Sequence, residues 1–414
     1  MSAISLSRPS RSYSGGSTLA TCTVSIPGKP PRELWIRTSG AGLVESADPF
    51  VALVLLPAMV LGVPVSSEGP VSRTLLESGL PSIQKVYSLW RYDRWYPRYR
   101  RFHEVKIDAP MAEDIPSAGG VGLFFSGGVD SSFSLVDARD EITHLIFIQD
   151  WEGRFPTDQG ERALSGVANV AQGFGKAVIT VETNAKSFLL WDYLSWLHFH
   201  GALLAAVALE LQGRLSKVHV PATYDVSTLQ PWGSHPYLDP LWSTTATEVV
   251  HDRIDVTRLE KLAVIADDRL LMENLRVCGE PYHNCGRCEK CARTMFTLQA
   301  LGRYEQGLPF DRPPLTPREI ARLNWSTREY PEYIQEVVDY LKDTGGHPEL
   351  LKATRIAHSG FYYHGPGRLI RGNLGPRLRA RAGRELTQIV GSVRRTAGYR
   401  RIAGFKRNGL SERS

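Results

Sequence analysis

Residues 121–135 read VGLFFSGGVDSSFSL. An apolar run, GLFFS, ends in two glycines set between serines. An aspartate follows, and SSFSLVDARD then reads as the start of a helix. A parallel sheet makes this kind of strand-to-helix handover at its carboxyl edge, where its ligands bind. Gly127 and Gly128 permit backbone conformations closed to other residues and let an anion approach the main chain. Ser126, Ser131 and Ser132 bring hydroxyls. A helix opening at Val129 directs its free N–H groups and the positive end of its dipole at the same point. These features predict a phosphate cradle. It has neither the G-x-x-x-x-G-K-[ST] spacing nor the G-x-G-x-x-G spacing of the common nucleotide loops. Asp130 would repel bare phosphate, so its presence predicts Mg²⁺ between carboxylate and phosphates.

Beyond the loop the same rhythm continues. HLIFIQD, KAVITVET and KVHVPAT read as strands, and GERALSGVANVAQGFG and HFHGALLAAVALELQG as helices between them. Apolar strands alternating with helices predict an α/β fold, a doubly wound parallel sheet covered on both faces. Gln149 and Asp150 end the second of these strands, with Trp151 next. They are either nucleotide contacts or a strand-end turn. Asp225, His235, Asp239 and Trp242 fall in a loop after KVHVPAT, where an aromatic and polar mix suits a planar heterocycle or a packed loop. Arg258 and Lys261 either neutralise phosphates or line a solvated helix face. His198 and His200 read as structural.

The 414 residues carry a formal net charge of +6, unevenly spread. From Arg368 onward thirteen Lys or Arg face two acids, Glu385 and Glu412, a net of +11, which leaves the rest of the chain at −5. The tail, with Tyr399 and Phe405 among its cations, suits RNA phosphates, an acidic protein, or simply water. The first residues lack the apolar core of an export signal. The longest apolar run, PFVALVLLPAMVLGVPV, is interrupted by Pro57 and is shorter than the roughly 20 residues that span a bilayer. It predicts a buried helix capped by Asp48 in a cytoplasmic protein without a membrane partner. The expected organisation is residues 1–17 disordered, 18–109 a small α+β domain, and 110–120 a linker. Residues 121–302 form the α/β domain, 303–367 a helical region, and 368–414 the basic tail.

Cys22 stands alone and reads as a buried apolar residue. Cys278, Cys285, Cys288 and Cys291 form a C-x6-C-x2-C-x2-C set. In a chain without an export signal that spacing predicts metal rather than disulfides. Four thiolates close a tetrahedral Zn²⁺ site, and they also suit an iron–sulfur cluster. His283 lies inside the loop as an alternative ligand or a neighbour.

SGGVDS resembles the SGGxDS loop of the PP-loop ATP pyrophosphatases, a superfamily that includes GMP, NAD and asparagine synthetases and tRNA-thiolating enzymes. The resemblance implies ATP and Mg²⁺ as cofactors and cleavage between the α and β phosphates. It implies an adenylated substrate from which a nucleophile displaces AMP. Ser126, Gly127, Gly128, Val129, Asp130, Ser131 and Ser132 would form the loop, with Asp130 and Ser131 in catalytic roles. Gln149 and Asp150 would bind the adenosine, and Arg258 and Lys261 the phosphates. With the knuckle NCGRCEKC and the following ARTMFTLQALG, residues 121 to about 302 resemble the 7-cyano-7-deazaguanine synthases, which convert 7-carboxy-7-deazaguanine, ammonia and ATP to a nitrile. That family's Tyr-Pro-Asp-Cys is missing, Arg258 replaces its lysine, and the N-terminal region and tail are additions. The resemblance therefore implies an amide-forming ligase joining a small carboxylate to ammonia or an amine. A tRNA-thiolating enzyme and a nucleotide-binding module without turnover are the alternatives.

Overall fold

The chain opens in strand. β1 (Ile4–Leu6), β2 (Ser10–Ser14), β3 (Ser17–Ser25) and β4 (Arg32–Ser39) belong to one sheet. The Ser-rich start, expected to be disordered, is held by tertiary partners that composition does not register. β2 pairs antiparallel with β3 from Ser10↔Thr21 to Ser14↔Ser17. Arg11 also makes a two-pronged ion pair with the buried Glu210, Nε–Oε1 3.0 Å and Nη2–Oε2 2.8 Å. The computed structural model describes residues 3–42, 44–90, 101–112, 115–150, 158–188, 194–278, 284–322 and 331–358. The basic tail, Trp151 and His283 lie outside them. The chain divides into two units, Met1–Pro314 and Leu315–Ser414.

Next come α1 (Asp48–Leu61), β5 (Val65–Ser67), β6 (Val71–Ser72), α2 (Leu80–Trp90), β7 (Ile107–Asp108) and β8 (Met111–Ala112). α1 is buried from Asp48 to Val60, as the apolar run predicts. Its N-cap is Ala47, not Asp48. The Asp48 carboxylate instead accepts from Ser72 N–H at 2.8 Å and from Gln212 Nε2 at 3.3 Å, which satisfies a fully buried charge. The expected linker is partly strand, since β8 pairs with β6.

The α/β rhythm then unfolds as predicted as far as Pro221, and a strand not read from the sequence follows at Glu248–Asp252. The series runs β9 (Gly120–Phe124), α3 (Val129–Asp137), β10 (His144–Asp150), α4 (Asp158–Phe174), β11 (Ala177–Thr183), α5 (Trp196–Glu210), β12 (Leu215–Pro221) and β13 (Glu248–Asp252). Helices α6 (Arg258–Ile265), α7 (Arg269–Asn274) and α8 (Glu289–Ala300) complete this unit's longer elements. The five strands are mutually parallel in the order β11-β10-β9-β12-β13. The first strand in the chain is therefore central, and the order reverses between β9 and β12. Ligands of open parallel sheets bind in the crevice at such a reversal.

The N-terminal strands are not a separate small domain. β4 pairs antiparallel with β11, Thr38↔Val181 and Ile36↔Thr183, so one eleven-stranded sheet runs through both halves. Their core is also shared: Ile4, Leu34 and Phe50 fall in the same buried cluster as Ile179, Leu203 and Val218. α1 and α5 are apolar all round and pack on each other, which buries both. No helix among the described residues is long and apolar enough to cross a membrane.

In the second unit α9 (Pro317–Arg322), α10 (Pro331–Thr344) and α11 (Pro348–His358) each begin with proline, whose missing N–H is harmless there. Thr316 and Glu319 form a reciprocal cap at the start of α9. Ile334, Leu341 and Ala353 are among the residues of its core. The helical region expected from residue 303 thus begins at 317.

Candidate functional site

β9 delivers the chain to Ser126 at the sheet's carboxyl edge. Gly127 turns with φ +72°, a left-handed conformation that strains any residue with a Cβ. Its carbonyl accepts a 2.7 Å hydrogen bond from Arg276 N–H. Gly128 is the N-cap of α3, and no side chain caps the helix. The helical ladder starts with Ser132 N–H on Gly128 O at 2.9 Å, so the N–H groups of Val129, Asp130 and Ser131 precede it. Their dipole end faces the region where β9 and β12 part.

A cavity of about 540 Å³ lies there. Ser126, Gly128, Asp130 and Ser131 line it from the loop, Gln149 from β10 and Thr223 from beyond β12. Phe124, Ile146 and Leu204 add apolar wall. The loop has the expected strand-to-helix geometry beside a cavity, and the roles of Val129, Ser131 and Ser132 differ from those expected. The side chains of Val129 and Ser132 are buried in the core, so only their main chain can face a ligand. The Ser131 hydroxyl accepts from Ser126 N–H at 3.3 Å and donates to Gly128 O at 3.2 Å. It braces the turn rather than standing free.

Asp130 is paired. Arg258 Nη1 lies 2.9 and 3.0 Å from its two oxygens. Arg258 opens α6 behind a Thr257–Glu260 capping box, which fixes the helix start. One turn on, Lys261 is 2% exposed and donates from Nζ to Ala222 O at 2.8 Å. Burial pushes its ammonium below the ordinary range, and the field of Asp130 opposes this. Neither cation is among the residues that line the cavity. Arg258 acts on it through Asp130, and Lys261 ties the chain just after β12. Asp150 ends β10 half-buried and does not line the cavity, although Gln149 does.

The four residues expected to bind substrate lie elsewhere. Asp239 accepts from Ser234 Oγ at 2.6 Å, and His251 Nδ1 lies 2.7 Å from it. Tyr237 N–H donates to His235 Nδ1 at 3.1 Å, and the His235 ring meets Trp90 of α2 at 5.0 Å. Trp242 is 1% exposed. Asp225 binds Ser227 and Thr228 within its own turn. This loop satisfies itself and packs under α2, so its aromatic and polar mix is architecture. Sequence reading missed Arg276 and Lys290, two cations that do line the cavity. Arg276 belongs to no motif, and Lys290 sits inside the knuckle NCGRCEKC, where only the cysteines drew attention.

Cys278, Cys285, Cys288 and Cys291 converge as their spacing predicts, all four sulfurs within 4.8 Å of one another. Cys278 and Cys288 are 3.7 Å apart, and Cys285 and Cys291 3.9 Å. A tetrahedral ion with metal–sulfur bonds of about 2.3 Å sets its sulfurs about 3.8 Å apart, so the set fits zinc. The Cys288 N–H donates to Cys285 Sγ at 3.2 Å. The hydrogen bond between Cys288 and Cys291 holds the Cys288 thiol below its ordinary range and pushes that of Cys291 up, so the two titrate as a pair. Cys22 is buried, and burial pushes its thiol up to about 11, which suits an inert core residue. Comparison with family models, curated proteins and solved structures finds no match to this chain.

Proposed function

We propose that this chain is an ATP-dependent, carbon–nitrogen bond-forming ligase of the PP-loop pyrophosphatase type. One observation carries the reading. An uncapped helix N-terminus, reached through a left-handed turn at Gly127, lines a 540 Å³ cavity at the reversal of a parallel sheet. That combination suits a pyrophosphate group.

In this reading a substrate carboxylate oxygen attacks the α phosphorus of ATP. The bond from the α phosphorus to the α–β bridging oxygen breaks, and pyrophosphate leaves with its electron pair. An amine nitrogen then attacks the acyl carbon, AMP departs, and the nitrogen loses a proton to solvent. The main-chain N–H groups ahead of the α3 ladder stabilise charge growing on the departing pyrophosphate. Arg276 and Lys290 add positive charge to the same cavity, and Gln149 offers an amide to the adenosine. Mg²⁺ is commonly held by one or two carboxylates and substrate phosphates. Asp130 fits as its protein ligand, sharing its oxygens with Arg258, and the ion would neutralise phosphate charge. Zinc fits the four thiolates as a closed centre without an open position for substrate.

The acid is a small carboxylate, and 7-carboxy-7-deazaguanine is the first to test, with ammonia as acceptor. The test is product analysis with purified protein, ATP and candidate acids. AMP and pyrophosphate are expected. ADP and phosphate as products, or no nucleotide bound at all, would overturn the assignment.

A further inference from the structure

We propose that the four-cysteine centre sets the conformation of the glycine loop, and that Asn284 is the positioning residue that transmits this control. The coupling stands on contacts alone; only its consequence for pyrophosphate rests on the function proposed above.

The glycine loop is not self-supporting. Residues 274–276 run along it. Arg276 N–H holds the Gly127 carbonyl at 2.7 Å. A Cβ built on Gly127 would lie 3.4 Å from Asn274 O, and one on Gly128 3.8 Å from Arg276 O. The turn at Gly127 is therefore shaped against the backbone of this segment. Two residues later the same segment becomes Cys278, which lines the cavity and contributes one of the four thiols.

Asn284 immediately precedes Cys285 and fastens the segment from the other side. Its Oδ1 accepts from Val277 N–H at 3.0 Å and Cys278 N–H at 3.2 Å. Its Nδ2 donates to Leu275 O at 2.7 Å and to Pro309 O at 3.3 Å. One side chain thus binds the main chain of residues 275, 277 and 278, and the residue between them holds the loop. A metal that draws Cys278 and Cys285 to one centre fixes both ends of this arrangement, because metal-binding energy becomes ordering energy. Without it the four thiols share only weak sulfur hydrogen bonds, and the hold on Gly127 weakens with them.

Hydrogen–deuterium exchange tests this on the full chain. It compares zinc-loaded protein, protein stripped by chelator, and zinc-loaded Asn284→Ala. Amides of Ser126, Ser132 and Arg276, which donate to Ser131 Oγ, Gly128 O and Gly127 O, should exchange about tenfold faster in both altered samples, the effect of losing a backbone-fixing hydrogen bond. Amides of the β3–β4 pair should not change, and Asn284→Ala should still hold zinc. Unchanged loop exchange after stripping overturns the coupling. So does equal acceleration across the whole sheet, or a folded protein that purifies with no metal on the four thiols. Loop exchange that answers to metal but not to Asn284→Ala removes Asn284 from the path. If Asn284→Ala does not fold, the stripped wild-type protein decides the coupling, and Asn284→Gln, which keeps the amide one carbon further out, decides the residue. Calorimetry with inorganic pyrophosphate separates the two proposals. Metal-dependent exchange without pyrophosphate binding sinks the nucleotide reading alone, and binding with metal-independent exchange sinks the coupling alone.

Discussion

Asp130 shows how far one residue's chemistry can be read in advance. Its place in SGGVDS sets a carboxylate beside the glycine loop, but nothing in the sequence pairs it with Arg258, 128 positions on. That pairing predicts a measurable coupling. In a double-mutant cycle, Arg258→Met and Asp130→Asn should each destabilise the fold by roughly 1–3 kcal/mol, with the double variant less destabilised than their sum. Urea unfolding would measure it, and strict additivity would remove the pair from the account. Ser131→Ala removes the hydroxyl that bridges Ser126 and Gly128, so under the proposed function it should weaken ATP binding about tenfold through a looser turn. Isothermal calorimetry checks this, and unchanged affinity would show the brace to be dispensable. Titration adds a further expectation. Burial, with the field of His200, holds His198 down to about 3. Burial, with the field of His251 and against that of Asp239, holds His235 down to about 4. Unfolded histidines take up protons near pH 6.5. Below that value the unfolded chain binds more protons than the folded one, so stability falls from about pH 6.5 towards 4. His235→Gln should flatten the decline in melting temperature over that window, and an identical pH profile would count against it.

At the level of elements, the strands and helices from 120 to 221 were legible because their periodicities and lengths are ordinary for a parallel sheet, whereas the short EVVHD strand at Glu248–Asp252 was not. β1 and β2 were not. Ile4 and Leu6 are only two apolar positions, and β2 is exposed apart from the side of Arg11. Their order comes from β3 and from Glu210, partners that lie far away in the chain. The cysteine set was legible because metal geometry constrains spacing, whereas Arg276 and Lys290 were not, since single cations carry no spacing. The loop at 223–247 misled because a self-satisfied aromatic turn has the composition of a binding surface. The Arg11–Glu210 pair is testable as an element clasp. Its side chains are 7% and 1% exposed, and Arg11 Nη2 also donates to Ser46 O at 2.8 Å. Arg11→Ala leaves Glu210 charged and buried, so it should cost about 3–5 kcal/mol in denaturant unfolding. Glu210→Gln in the same chain should recover part of that loss. A loss below about 1 kcal/mol would mean that water reaches the site.

Across the Met1–Pro314 unit, the sheet makes the N-terminal strands part of the same body as the candidate site. Deleting residues 1–39 strips β4 from β11 and opens an unpaired edge together with apolar core, so the shortened chain should aggregate. Recovery of a monomer with native melting behaviour would refute that expectation. The seam between β4 and β11 also bears on how the protein is made. Arg37 and Glu182, which meet across it, are 145 residues apart. On the ribosome the first four strands emerge early, and β4 must wait for β11 with its hydrogen-bonding edge bare. At about 5–20 residues per second that wait lasts roughly 7–30 s, long enough for a second nascent chain on the same message to offer a competing strand. Elongation speed through the middle of the coding region, rather than final stability, would then govern the yield of folded protein.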